Sequence, residues 1–186
     1  APLQRLAEHM ALRESLFRLG FFLMLILSIG TVAAQGLGST DDWSRVGKAA
    51  STEGTPIIVL VTGAGCSHCD RLHRDLFRNP TSCMLLRGRA VAREIDRDLG
   101  GKITDFDGER VRVRVFLARY QIFATPTLLF LDADGKTLVE PLVGYSTPDN
   151  YRELLSERLI MARQKLVARH IQSAAVLTSV SNSVAH

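Results

Sequence analysis

The sequence predicts an α/β fold, a central mixed sheet flanked by helices, and three observations carry that prediction. Residues 56–61 (PIIVLV) form an unbroken, mostly β-branched run, which reads as a strand buried on both faces in largely parallel surroundings. Gly63-Ala64-Gly65 breaks that run and a helical segment opens at Cys66, so the local order is strand, tight loop, helix. Farther along, residues 127–131 and 137–143 flank Asp132-Ala133-Asp134-Gly135, a strand, turn, strand pattern that makes an antiparallel hairpin.

The composition fits such a fold and removes several function classes. Of 186 residues, 46% are hydrophobic and 23% charged, enough apolar material to close a core and far from a disordered or collagen-like chain. A net charge of +4 is too modest at this length to imply a nucleic-acid partner. Three cysteines are too few for a disulfide scaffold and cannot make a four-thiolate zinc site, so attention falls on the spacing of Cys66 and Cys69.

From the amino end, residues 20–31 (GFFLMLILSIGT) form an apolar run, with residues 21–27 (FFLMLIL) apolar on every face; the run follows Arg13 and Arg18 and precedes the small residues Val32-Ala33-Ala34. This is the pattern of a secretory signal peptide over residues 1–34, cut before Gln35, and the run is shorter than the roughly 20 residues of a spanning helix. Met10 opens the stretch with a complete signal's form, so residues 1–9 read as an upstream extension; a retained amino-terminal anchor is the alternative. What remains has the length of one domain, residues 35–169, followed by a tail at 170–186 expected to fray.

Within that domain, Ser39-Thr40-Asp41-Asp42 starts a short helix whose apolar face is Trp43, Val46 and Ala50 and whose end is Gly54. The strand after Pro56 comes next, then the helix from Cys66 through Leu72, Leu76 and Phe77, and Asn79-Pro80 caps another. Residues 90–95 read as a second strand and residues 96–110, polar and rich in glycine, as an insert-like loop. Arg110 to Val115 alternates with period two, while Phe116-Leu117-Ala118-Arg119-Tyr120 looks helical. The arginines read as a solvated face, since no aromatic residues interleave to stack bases. After the hairpin, Thr147-Pro148-Asp149 caps a last helix with Leu154, Leu155, Leu159 and Ile160 on one side.

In Cys66-Ser67-His68-Cys69 the sulfurs lie three residues apart, so on a first helical turn both share a face within disulfide reach. Only a thiolate attacks, and a free cysteine with a pKa of about 8.5 is roughly 3% ionised at neutral pH. Helix amides beside Cys66 raise that fraction, which makes Cys66 the nucleophile and Cys69 the resolving thiol. His68 can donate to the Cys66 sulfur or lie beside it; its bland reading is a solvent-facing residue. Haem attachment is excluded because Asp70, not histidine, follows Cys69. A closed zinc site lacks ligands, since Cys66, Cys69 and His73 make at most three; His73 reads as a solvated helix residue and Cys83 as a buried inert thiol. A copper-binding metallochaperone using Cys66, Cys69 and His68 or His73 is the rival from another class.

Thr125-Pro126-Thr127 adds a proline at the head of a strand, where a ladder donor is given up and a sharp turn is common. With Pro56 and its strand, CSHC opening a helix, Tyr120-Gln121-Ile122, Asp134-Gly135-Lys136 and Val143-Gly144 before the last helix, the chain resembles the thioredoxin family from about residue 39 to 162. It resembles SoxW-type periplasmic thioredoxins most, through Gly65-Cys66, Cys69-Asp70-Arg71-Leu72-His73, residues 103–108 (ITDFDG), Thr125-Pro126-Thr127 and Gly144-Tyr145. The resemblance implies a cis bond before Pro126, with the Thr125 backbone binding an extended substrate beside Cys66. It implies an exported thiol-disulfide oxidoreductase with no cofactor and no metal. Its expected partners are protein disulfides or dithiols and a membrane thiol electron carrier; it needs no nucleic acid and works as a monomer. Reduction is the expected direction, with oxidation and isomerisation as alternatives. Three departures stand out: Gly65 where the family has tryptophan, Ser67-His68 in place of Gly-Pro, and Leu60 where the family has a buried acid. Without that acid, deprotonation of Cys69 falls to another group or to water.

Overall fold

The computed structural model describes residues 37–184, with side chains through residue 176, so the expected export signal lies outside the described residues. Helix α1 (Trp43–Glu53) starts where the Asp42 carboxylate accepts the Arg45 N–H and ends at Gly54 in a left-handed conformation. Strand β1 (Ile57–Thr62) follows, then α2 (Ser67–Leu72), which continues as a π-helical turn over His73–Phe77. The Asn79 side chain caps α3 (Pro80–Cys83), and β2 (Val91–Asp96) comes next.

The stretch after β2 departs from the expected loop. It forms a two-stranded ribbon, β3 (Lys102–Thr104) paired antiparallel with β4 (Arg110–Arg112), and α4 (Val113–Ala118) follows directly. The turn holds because the buried Asp105 carboxylate accepts from the Phe106 N–H and pairs with Arg119, while Phe106 packs on Trp43 and Phe116. Gly135 makes room for that ring: a Cβ there would stand 2.3 Å from Phe106 Cδ2. Arg110 and Arg112 face solvent, as expected of the alternating stretch, and Val113, Phe116 and Leu117 turn into the core.

Strands β5 (Thr127–Leu131) and β6 (Thr137–Val143) form the expected hairpin. The main sheet has the order β2-β1-β5-β6, with β1 parallel to β2 and antiparallel to β5. The largely parallel surroundings expected for β1 are therefore half right. Its burial on both faces comes from helices on both sides of the sheet. Ile58 and Leu60 pack with Leu72 and Leu76 and with Leu155 and Leu159 of α5 (Pro148–Val184), whereas Ile57, Val59 and Val61 pack with Trp43 and Phe116.

Helix α5 corrects two expectations. Its buried stripe is Tyr151, Leu155, Leu159, Ala162 and Leu166, while Ile160 is 52% exposed. Its backbone stays helical to Val184, where a frayed tail was expected past Arg169. Arg169 helps hold this part of the helix, since its guanidinium donates to Asp132 Oδ2 at 2.5 Å and to the Thr137 carbonyl at 3.0 Å.

Candidate active site

The cysteine pair sits where β1 hands over to α2. Gly65, at φ 68°, takes the left-handed turn that lets the chain reverse, and the Cys66 N–H donates to the Gly63 carbonyl at 3.3 Å. Cys66 then caps α2 with its own sulfur: the Cys69 N–H donates to Cys66 Sγ at 3.2 Å. Cys66 and Cys69 are joined in a disulfide with their Cα atoms 5.2 Å apart. Cys66 is half-buried, whereas Cys69 is only 4% exposed. The more exposed cysteine thus caps the helix, with its sulfur on a helix-end amide that favours negative charge, and the other lies buried one turn in.

His68 is exposed, and its ring bonds away from the pair. Nδ1–H donates to the Tyr145 carbonyl at 3.3 Å, and in that tautomer Nε2 accepts from Arg71 at 3.1 Å. The Tyr145 hydroxyl in turn donates to Asp75 Oδ2 at 2.6 Å, with burial and the Asp75 carboxylate pushing the phenol up to about 12. These bonds tie the cysteine helix to the segment between β6 and α5. The same segment holds the proline loop, because the Gly144 N–H donates to the Pro126 carbonyl at 2.8 Å. The Thr125-Pro126 bond is cis, Thr125 is half-buried, and Thr127 pairs with Val61 near the end of β1 that leads to Cys66.

His73 is not the solvated residue expected. Its side chain is 16% exposed, and Nε2 lies 3.2 Å from both carboxylate oxygens of Glu94. Glu94 belongs to β2 opposite Leu60, and it accepts from the Thr62 hydroxyl at 2.9 Å. Burial works to raise the Glu94 carboxyl. The hydrogen bond and charge of His73, the Thr62 hydroxyl and Arg78 outweigh it and hold the group below the usual carboxylate range. A cavity of about 540 Å³ is lined by Thr62, Cys66, Cys69, His73, Arg78 and Glu94, among others. Glu94 escaped sequence reasoning; its one signal there was an acid between Val91 and Ile95 in a run otherwise read as a plain strand.

Cys83 stands apart from the pair. Its thiol donates to the Phe77 carbonyl at 2.9 Å, and burial pushes it up, away from the thiolate. Among the described residues, no three His, Cys, Asp or Glu side chains converge on a point that could hold a metal ion. Among the same residues, no helix is long and apolar enough to cross a membrane.

A family model described as a thioredoxin-like domain matches residues 45–158. Among solved structures, a thioredoxin from Thermus thermophilus is 18% identical, covers 69% of this chain and 91% of its own, and superposes with a TM-score of 0.53. A protein described as DsbH oxidoreductase is also 18% identical, over 69% of this chain and 88% of its own, with a TM-score of 0.52. At this distance the structural likeness speaks for the fold. No curated protein sequence matches the chain.

Proposed function

Because the chain belongs to the thioredoxin-like domain family, we propose that its Cys66–Cys69 couple reduces protein disulfides outside the cytoplasm. Thiol-disulfide oxidoreductase chemistry follows from that fold carrying a disulfide-forming pair. The observation that carries the reading is the inequality of the two cysteines, a half-buried one capping a helix and a buried one a turn on. In the cycle, the Cys66 thiolate attacks a substrate disulfide, forms a mixed disulfide and releases one substrate thiolate. Cys69 then attacks Cys66 Sγ and releases the second, leaving the protein oxidised by two electrons. A membrane thiol electron carrier returns those electrons.

The signal-like residues 1–34 support export, and the motifs shared with SoxW-type thioredoxins support the reducing direction. Thr125 and Pro126 border the cysteine helix through Gly144 and Tyr145, which supports a role in receiving an extended substrate. His68 tunes the couple by holding the Arg71 charge on the turn that begins at Cys66.

The test is the reduction potential of the couple against glutathione. A reductant gives a value below about −230 mV, in the range of thioredoxin near −270 mV; a value near −120 mV, as in strong oxidants, overturns the direction. His68→Pro should shift the potential to a lower value, because a less stabilised thiolate makes the reduced form less favourable. An unchanged potential in that variant leaves His68 as a clip to Tyr145 only.

A further inference from the structure

Resolution of a mixed disulfide needs Cys69 as a thiolate, and its burial disfavours that charge. The strand beneath the pair offers no proton acceptor, since residues 57–61 are all apolar and Thr62 carries a neutral hydroxyl. The ionisable groups at the cavity are few. Asp70 and His73 come from the cysteine helix and its extension, Arg78 from the turn after it, and Glu94 from β2. At the rim, Asp98 Oδ2 accepts the Ala64 N–H and the Arg97 side chain lies near Gly63. Asp70 is exposed, Arg78 is a cation, and Glu94 is already engaged by Thr62 and His73. His73 is left. It stands four residues beyond Cys69 and therefore on the same helix face, at the start of the π-helical turn, a distortion that recurs at functional sites. With Nε2–H donated to the Glu94 carboxylate, Nδ1 is the ring's remaining acceptor.

We propose that His73, oriented by Glu94, accepts the Cys69 proton in the resolving step; this rests on the oxidoreductase reading above. From the mixed disulfide, the Cys69 thiol gives its proton to His73 Nδ1, directly or through water in the polar cavity. The Cys69 thiolate attacks Cys66 Sγ, the Cys66–Cys69 bond forms, and the bond to the substrate sulfur breaks. The substrate leaves with that electron pair and takes up a proton as it departs. Two protein thiols are oxidised and one substrate disulfide is reduced. Glu94 is a positioning residue in this step, and the Thr62 hydroxyl fixes its carboxylate.

Stopped-flow mixing of the reduced protein with equimolar DTNB, a chromogenic disulfide, separates the two exchanges. Cys66 attack releases the first coloured thiolate and Cys69 resolution the second. A wild-type protein that releases only one overturns the oxidoreductase reading itself. With both present, His73→Gln should leave the first release unchanged, slow the second at least about ten-fold at neutral pH and remove its pH inflection. Imidazole should restore the second release in His73→Ala. Glu94→Gln should slow the second release and leave the first unchanged, because the ring loses the carboxylate that orients it. Thr62→Val should slow the second release by less, because it loosens only the carboxylate. A His73→Gln protein with the wild-type second rate and pH profile, or with both releases slowed alike, overturns the proposal. If the His73 variants fail to fold by circular dichroism, a Glu94→Gln protein whose second release keeps the wild-type rate overturns it alone.

Discussion

Cys66 and Cys69 share one bond and live in different surroundings, and most of the proposed chemistry turns on that difference. The pair was legible in the sequence because its spacing is a local motif, and the cis bond before Pro126 was legible only through the resemblance to the thioredoxin family. The Glu94–His73 pair was not, because it depends on strand register: Glu94 must stand opposite Leu60 on β1 for its carboxylate to meet Thr62 and a ring from the neighbouring helix. The pair also makes a prediction about stability. A carboxyl held below its ordinary value of 4.5 adds stabilisation that is fully present above that pH and is lost as the pH falls through the lower folded-state value. Urea unfolding should therefore show wild type more stable than Glu94→Gln at neutral pH, with the gap narrowing at about pH 3. A gap of equal size at both pH values contradicts the assignment.

Among the elements, helices and strands with local caps were readable from sequence, as Asp42, Asn79 and the Pro148 start show. The ribbon of β3 and β4 was hidden because its strands are three residues each and their stability comes from Phe106 reaching back to Trp43 and from Asp105 meeting Arg119. Helix α5 shows how a face is misjudged by one position. Leu154, Leu155, Leu159 and Ile160 look like one apolar side, yet the stripe that meets the sheet runs through Tyr151, Leu155, Leu159 and Ala162, leaving Ile160 outside. Leu159→Ala should cost about 2–5 kcal/mol in denaturant unfolding. Ile160→Ala should cost less than about 0.5 kcal/mol. Equal losses would mean that the helix meets the sheet by another face.

The described domain is a sheet covered on both sides, and that layering places the chemistry at one end of it. Strand β1, buried throughout, runs into the Gly63-Ala64-Gly65 loop and the cysteine helix, β2 brings Glu94 alongside, and the loop before β5 brings Pro126 to Gly144. The α/β class and its mixed sheet were legible because consecutive local signals were enough to give them; which strands flank β1 was not, because chain order alone does not set it. Two exchanges in fixed order, Cys66 first and Cys69 second, are the central claim, and trapping the intermediate tests it most directly. Cys66→Ser and Cys69→Ser proteins are each reduced and mixed with insulin, with dithiothreitol driving turnover, and adducts are read on non-reducing gels and by mass spectrometry. Cys69→Ser should accumulate a mixed disulfide through Cys66 and lose multiple turnover, and Cys66→Ser should form no adduct. A Cys69→Ser protein that turns over at the wild-type rate, or a Cys66→Ser protein that traps insulin equally well, would contradict it.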